Sequence, residues 1–434
     1  MIGVAVMILT EVLRKELSSA AFAEKMKTLY ACGAAETEHY AGRYAKLLDA
    51  FEQYYGKAEQ VSVFSAPGRT EIGGNHTDHQ HGCVLAASVN LDVIGVAALD
   101  GSGSIRIKSE GFPEDVIDLD DLSPKPEEKN RASALIRGVA ARFREMGHPL
   151  KGFHAYTTST VFKGSGLSSS AAFEVIVGNM LNSLFCGGGI SPVEIAKIGQ
   201  YAENVYFGKA SGLMDQTASS VGGIVSIDFE STENPLIRKI DYDFTRSGHK
   251  LCIIDTGADH ADLSDEYTAI PLEMKEVAAF FGKEFLRQVP EEDFLAHLAE
   301  IRRAAGDRAV LRALHFYADN RRAVREANFV ESGDFASFLR EVTLSGQSSS
   351  QALQNVSPTG AVREQPVAVA LALCGKLLGE KGAYRVHGGG FAGTVQAFVP
   401  DSEAEGFQAA MEGYLGKGCC HLLTIRPIGG VCLF

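Results

Sequence analysis

The sequence predicts a two-domain protein that mixes helices and strands behind a helical preface, on three observations. A chain of 434 residues exceeds what one ordinary core organises. Apolar residues recur at helical spacing from about residue 10 to residue 55, then give way to short alternating and apolar runs. A mainly helical stretch over about 267–378 is bracketed by further strand-like runs. The segment Asp241 to Lys250 reads as the boundary, so the expected division is a helical extension over 1–56, a first domain over 57–245 and a second over 246–434.

In the preface, Val12, Leu13 and Leu17, then Phe22, Met26 and Leu29, then Tyr44, Leu47, Leu48 and Phe51 are spaced for single helical faces. The turn signal Ala31-Cys32-Gly33-Ala34 interrupts them, and Gly56 offers a C-cap. A sheet begins at Val61-Ser62-Val63-Phe64 and continues through short runs at 84–87, 93–96 and 104–107. Helical periodicity returns over Ala132 to Met146. From Gly166 to Phe185 a glycine-serine loop feeds a buried helix, because Ala171, Ala172, Val175, Ile176 and Leu181 leave little polar face. Strand-like runs follow at 225–227 and 251–254, and near the end at 394–398 and 422–425. No internal repeat or low-complexity tract interrupts the chain.

Composition removes several classes of partner. Lys and Arg number 41 against 54 Asp and Glu, and a net charge of −13 creates no field to attract nucleic acid or an anionic membrane surface. Any phosphate ligand must be held by local chemistry. Eight scattered cysteines without a C-x-x-C pair imply reduced thiols and a cytoplasmic location. The apolar N-terminal run lacks a basic n-region and a cleavage site, and is shorter than the roughly 20 residues a membrane helix needs. It reads as the lead-in to a helix.

Four segments carry chemistry. Lys163-Gly164-Ser165-Gly166-Leu167-Ser168-Ser169-Ser170-Ala171-Ala172 opens directly into the apolar helix, so glycines admit a phosphate chain to the backbone while N–H groups at the helix start point at it. It is not a Walker A sequence, and a flexible linker would not run into a buried helix. The Ser170 hydroxyl is a hard oxygen suited to Mg²⁺. The polar run from Ala66 to Gln80 is dense in hydrogen-bonding side chains, as a site reading sugar hydroxyls requires. Its His76-Thr77-Asp78-His79 cluster lacks the H-E-x-x-H spacing of a zinc site. Glu203 and Asp215, separated by glycines, can face one pocket as a metal ligand and a base for a hydroxyl, although by composition alone Asp215 reads first as a helix N-cap. Last, Gly388-Gly389-Gly390 between strand-like runs permits close backbone approach.

In this order the segments resemble the GHMP kinases, and more closely the galactokinases. The family string G-R-[IV]-N-L-I-G-E-H-x-D-Y is matched in part over 68–79, G-L-S-S-S-A-A is unaltered over 166–172, and the A-E-x-x-x-x-G, G-x-M-D-Q and G-G-G-F-x-G motifs fall at 202–208, 212–216 and 388–393. The resemblance implies an α/β domain of the ribosomal-protein-S5 type followed by a ferredoxin-like α+β domain, with the site between them. It also implies ATP as donor, Mg²⁺ as cofactor and a small-molecule sugar as acceptor, phosphorylated at its anomeric hydroxyl. By the same resemblance Asp215 is the catalytic carboxylate and Arg69 its charge partner. Gly164, Gly166, Leu167, Ser168, Ser169, Ser170 and Ala171 hold the phosphates, and Ser170 and Glu203 the metal. Asn75, His76, Asp78, Gly212 and Tyr267 meet the sugar.

Three residues depart from the family string. Asn75 stands where it has Glu, His79 where it has Tyr, and Glu71 where it has Asn. Because that Glu meets the C6 hydroxyl in the family, Asn75 opens galacturonate as an alternative to galactose, and Asn75 with His79 leaves N-acetylgalactosamine or arabinose open as well. Related chains also serve as silent sugar sensors. Such chains are expected to lose part of the Ser-Ala run or the carboxylate, and here Ser168 to Ala172, Glu203 and Asp215 are all present.

Overall fold

The computed structural model describes residues 7–161, 166–209, 211–258 and 263–434. Gly164, with Lys163 and Ser165, lies outside the described residues.

The preface forms α1 (Thr10–Glu16), α2 (Ala20–Tyr30) and α3 (Thr37–Tyr55). The Ser19 hydroxyl caps α2 by accepting the Phe22 N–H at 3.0 Å. That helix stops where Ala31 turns left-handed (φ 49°), and α3 stops at Gly56 (φ 87°). Ahead of α1, Ile8–Leu9 forms a short strand, β1, rather than a helical lead-in, because the two residues pair with Val61 and Gln60.

The first sheet continues through β2 (Gln60–Gly73), β3 (Cys83–Leu99), β4 (Ser104–Ser109), β5 (Glu114–Asp118), β6 (Phe153–Ser159), β7 (Ile224–Asp228) and β8 (Leu236–Ile240). The two apolar runs at 84–87 and 93–96 are one strand rather than two. The 17 residues of β3 are long enough for Val93 to Leu99 to pair with β6 while Cys83 to Ala87 pair with β7. Likewise β2 runs on to Gly73, so half of the polar run over 66–80 is strand, bulged near Gly68 and Ile72.

Both faces of this sheet are covered. Leu13, Phe22, Met26, Leu48 and Phe51 of the preface close on Val61, Val63, Ile94 and Val96. The other face packs on α4 (Ala132–Glu145), α5 (Ser169–Cys186) and α6 (Pro192–Tyr201) through Ile136, Val139, Val175, Ile176 and Ile195. Near the site, α7 (Met214–Val221) lies against β2 and β3.

The second sheet is antiparallel, in the order β10 (Ala383–His387), β11 (Thr394–Pro400), β9 (His249–Asp255), β12 (Cys420–Leu423). Helices Pro366–Leu378 and Ala404–Leu415 cover one face through Val367, Cys374, Phe407 and Met411. The expected helical stretch runs from α8 (Ser264–Phe280) through the long helix Asp307–Ser332 to Leu378. The chain then returns, and β13 (Val431–Cys432) pairs with β2. Among the described residues no helix is long and apolar enough to cross a membrane.

Candidate active site

The phosphate-loop serines sit at the start of α5. Ser168, the N-cap, adopts left-handed backbone (φ 52°, ψ 65°), a conformation that costs a non-glycine residue about 1–2 kcal/mol. The first intrahelical bond runs from the Ala172 N–H to the Ser168 carbonyl at 3.2 Å, which leaves the N–H groups of Ser169, Ser170 and Ala171 without intrahelical acceptors. Added to the helix dipole, they form an anion site. Leu167 is buried and its carbonyl accepts the Arg69 N–H at 3.0 Å, which anchors the loop to β2.

Arg69 and Asp215 meet beside this turn. Arg69 Nε and Nη2 donate to Asp215 Oδ1 and Oδ2 at 2.7 and 2.8 Å, the Ser168 hydroxyl donates to Oδ2, and Arg69 Nη1 donates to the Gly166 carbonyl. Burial pushes the Asp215 carboxyl up, but the Arg69 charge and the hydrogen bonds from Arg69 and Ser168 outweigh it, so the group lies below its ordinary value. Asp215 is thus a carboxylate, and its side chain keeps 26% exposure through which an acceptor can reach it.

A second acidic centre lies behind the serines. Glu203 stands on a π-helical turn, Ala202–Phe207. Its Oε1 accepts from Ser170 Oγ at 3.3 Å and from Lys209 Nζ at 3.0 Å, and its Oε2 from Ser211 Oγ at 2.7 Å. Gln216 Nε2 bridges Glu203 Oε2 and Glu174 Oε2, at 2.8 and 2.9 Å. Burial and the Glu203 charge raise the Glu174 carboxyl well above its usual range. Among the described residues no three His, Cys, Asp or Glu side chains converge on a metal. One carboxylate beside one hydroxyl suits Mg²⁺ that arrives bound to phosphates rather than in a protein cage.

The expected sugar residues divide. Gly212 lies against Asp78, since a Cβ there would sit 3.1 Å from Asp78 Oδ2. His76, left-handed at φ 58°, has its Nε2 3.0 Å from the Gly389 carbonyl. Its buried Nδ1 has no partner among the described residues. Tyr267 donates from its hydroxyl to the Gly390 carbonyl at 2.7 Å and lays its ring against Gly389, where a Cβ would come within 2.6 Å of it. The triple glycine therefore packs under an aromatic ring. Asn75 stands apart from these: it is 0% exposed and both ends of its amide are bonded within the protein. The amide therefore presents no open donor to a C6 substituent in this arrangement.

Several buried groups were not identified from sequence. Glu174 is the sole charge on an otherwise apolar α5, four residues after Ser170, and that isolation was the available signal. Arg385, fully buried on β10, pairs with Glu71 at 2.7 Å. His387 bridges Thr70 and Thr394 at 3.0 and 2.9 Å, and burial pushes it well below the usual histidine value. A separate cleft of about 970 Å³ lies between the preface and residues 239–250. Its lysines 27, 239 and 250 are offset by Glu36, Asp241 and Asp243, and none of the residues above lines it.

Known proteins share stretches of this sequence and its fold. The family model for the GHMP kinases N terminal domain matches residues 134–223, and that for the galactokinase galactose-binding signature matches 49–99. A galactokinase of Streptomyces coelicolor is 31% identical over 366 residues, which is 84% of this chain and 91% of the relative. One from Glaesserella parasuis is 31% identical over 82% of this chain and 89% of its own. The crystal structure of Lactococcus lactis galactokinase complexed with galactose superposes with a TM-score of 0.75 at 23% identity, covering 90% of this chain and all of that one. Methanococcus jannaschii mevalonate kinase gives 0.60 at 14%, covering 84% and 98%. The fold is that of the GHMP kinases, phosphotransferases with an alcohol group as acceptor. Within that class the chain belongs to the galactokinase family.

Proposed function

We propose that the protein is a cytoplasmic galactokinase that transfers the terminal phosphoryl group of ATP to the anomeric hydroxyl of galactose. The observation that carries the reading is the Asp215 carboxylate, held by two Arg69 bonds and by the hydroxyl of Ser168, the N-cap of α5, whose first N–H groups lack intrahelical acceptors. Acceptor and donor chemistry are thereby adjacent. Galactose is preferred among sugars because the galactose-binding signature matches 49–99 and the relatives are galactokinases.

In this reading the N–H groups of Ser169, Ser170 and Ala171 hold phosphate oxygens, with Gly164 and Gly166 admitting the chain. Ser170 and Glu203 hold Mg²⁺, which when bound neutralises phosphate charge. Lys209 is exposed and paired with Glu203, whose carboxylate would hold the ion with Ser170. Asp215 accepts a hydrogen bond from the anomeric hydroxyl and orients its oxygen. A carboxylate of low basicity serves a loose transition state, in which the proton leaves late and positioning supplies most of the effect. Arg69 keeps Asp215 ionised, and its Nη1, now on the Gly166 carbonyl, adds positive charge beside the loop. His76 Nδ1, Asp78, Gly212 and Tyr267 form the sugar wall, the unpartnered Nδ1 being free for a hydroxyl.

The test is ATP consumption with Mg²⁺ across galactose, galacturonate, N-acetylgalactosamine, glucose and arabinose. Turnover on galactose with the highest kcat/KM is expected. Turnover confined to another sugar overturns the substrate, and silence across the panel overturns the kinase reading.

A further inference from the structure

Every polar atom of Asn75 is held by the protein, mostly by residues far along the chain. The backbone N–H donates to Asp319 Oδ2 at 2.8 Å and the carbonyl is 2.9 Å from His315 Nε2. On the side chain, Oδ1 accepts from Ser349 Oγ at 3.2 Å and from Asn355 Nδ2 at 2.9 Å, while Nδ2 donates to the Gly388 carbonyl at 2.7 Å and to Glu71 Oε1 at 3.0 Å. A carboxamide has two donor hydrogens and two acceptor sites, so this one is saturated. All partners but Glu71 belong to the stretch from 315 to 388, and Glu71 is itself tied to that stretch by Arg385, which also donates to the Ile72 carbonyl at 2.6 Å.

The next residue makes this consequential. His76 sits in left-handed backbone with one ring nitrogen on Gly389 and the other unpartnered, so its direction depends on how the loop is seated against the glycine turn. We propose that Asn75 is a positioning residue, a latch that seats the loop carrying His76 and Asp78 against the glycine turn and the helix Asp307–Ser332, and so sets the sugar site without touching the sugar. Small displacements are costly in such a site, because a shift of about 1 Å in a reacting group lowers rate on the order of a hundredfold.

The proposal rests on the sugar-kinase reading, and the parent enzyme tests that reading first through its turnover on the sugar panel. Given a turned-over sugar, the experiment is steady-state kinetics of Asn75→Asp, Asn75→Ser and Asn355→Ala well below their melting transitions, with sugar binding measured by calorimetry. Asn75→Asp keeps the shape but loses both donors and faces Glu71 with a second carboxylate. The expected result is a sugar KM and Kd raised about tenfold or more with ATP KM within about twofold, and an unchanged ratio of kcat/KM between galactose and 6-deoxygalactose. Asn355→Ala removes a partner of Oδ1 together with a donor to the Gly389 carbonyl, leaves Asn75 in place, and is expected to move the same constants in the same direction by less. A changed galactose to 6-deoxygalactose ratio in either Asn75 variant would assign a direct contact and overturn the latch. Unchanged sugar constants in Asn355→Ala would overturn it as well, even if the Asn75 variants fail to fold.

Discussion

Replacing Asp215 by Asn separates the charge of this group from its shape. The carboxylate receives two bonds from Arg69, at 2.7 and 2.8 Å, and one from Ser168. An amide offers a single oxygen and turns an N–H₂ donor toward groups that are themselves donors. One charge-assisted bond, worth about 1.5–3 kcal/mol, is lost outright. With 26% of the side chain exposed, water recovers part of that loss, so a destabilisation of about 1–2 kcal/mol is expected. The kinetic effect is larger. Removal of a group that orients an acceptor hydroxyl and takes its proton lowers kcat by about 10²- to 10⁴-fold. The anion site at the start of α5 is untouched, so nucleotide affinity should change less than about threefold. Coupled initial rates with saturating sugar give kcat, calorimetry with ADP gives affinity, and a thermal melt confirms folding. A folded Asp215→Asn enzyme within tenfold of the parent kcat would refute the reasoning. So would a loss of nucleotide affinity as large as the loss of kcat.

Three further outcomes follow from the same structure. Gly68→Ala places a Cβ 2.9 Å from the Leu167 carbonyl and 3.2 Å from a Val161 methyl, at the base of the phosphate loop. ATP KM should rise about tenfold with sugar Kd unchanged, as steady-state kinetics and calorimetry can check. Leu48→Ala in the preface, at 0% exposure, should lower unfolding free energy by about 2–5 kcal/mol in urea while the folded enzyme keeps its kcat. For pH, His387 is buried and its folded value lies well below the unfolded value of about 6.5. Between those values the unfolded chain binds the extra proton, so this stabilisation is complete above about pH 6.5 and is lost as pH falls below it. Glu174 and Glu326, raised by burial, act in the opposite sense, so the measurable quantity is a difference. Below pH 6.5 the parent should lose about 1.4 kcal/mol per pH unit more than His387→Gln in urea titrations. Parallel stability curves for the two proteins would contradict this.

Local features read well from sequence where periodicity and backbone chemistry suffice. Two of the three preface helices stop at the Ala31 turn and at Gly56, and the apolar stripe after the serines becomes a buried helix. Ile8 and Leu9 did not read as strand, because two residues carry no period and their partners Val61 and Gln60 are remote. The two apolar runs of β3 looked separate because Ser88 and Asp92 lie between them. Both are polar yet buried, Ser88 donating to the Arg426 carbonyl and Asp92 paired with Arg426 at 3.0 Å. A polar residue reads as a break in a strand when its partner comes from the far end of the chain.

The sequence by itself determined the family and supplied the residues proposed for the site: the serine loop, Arg69, Glu203, Asp215, the His76 to Asp78 string and the triple glycine. Motif order and local backbone demands are written in consecutive residues. Only the tertiary structure decided which of these groups are open and which are spent. Asp215 stays a reachable carboxylate because Arg69, 146 positions away, folds onto it. Asn75 is sealed because partners between 315 and 388 converge on it. Hydrogen-bond capacity is finite, and what remains for a ligand is known only after long-range partners have taken their share.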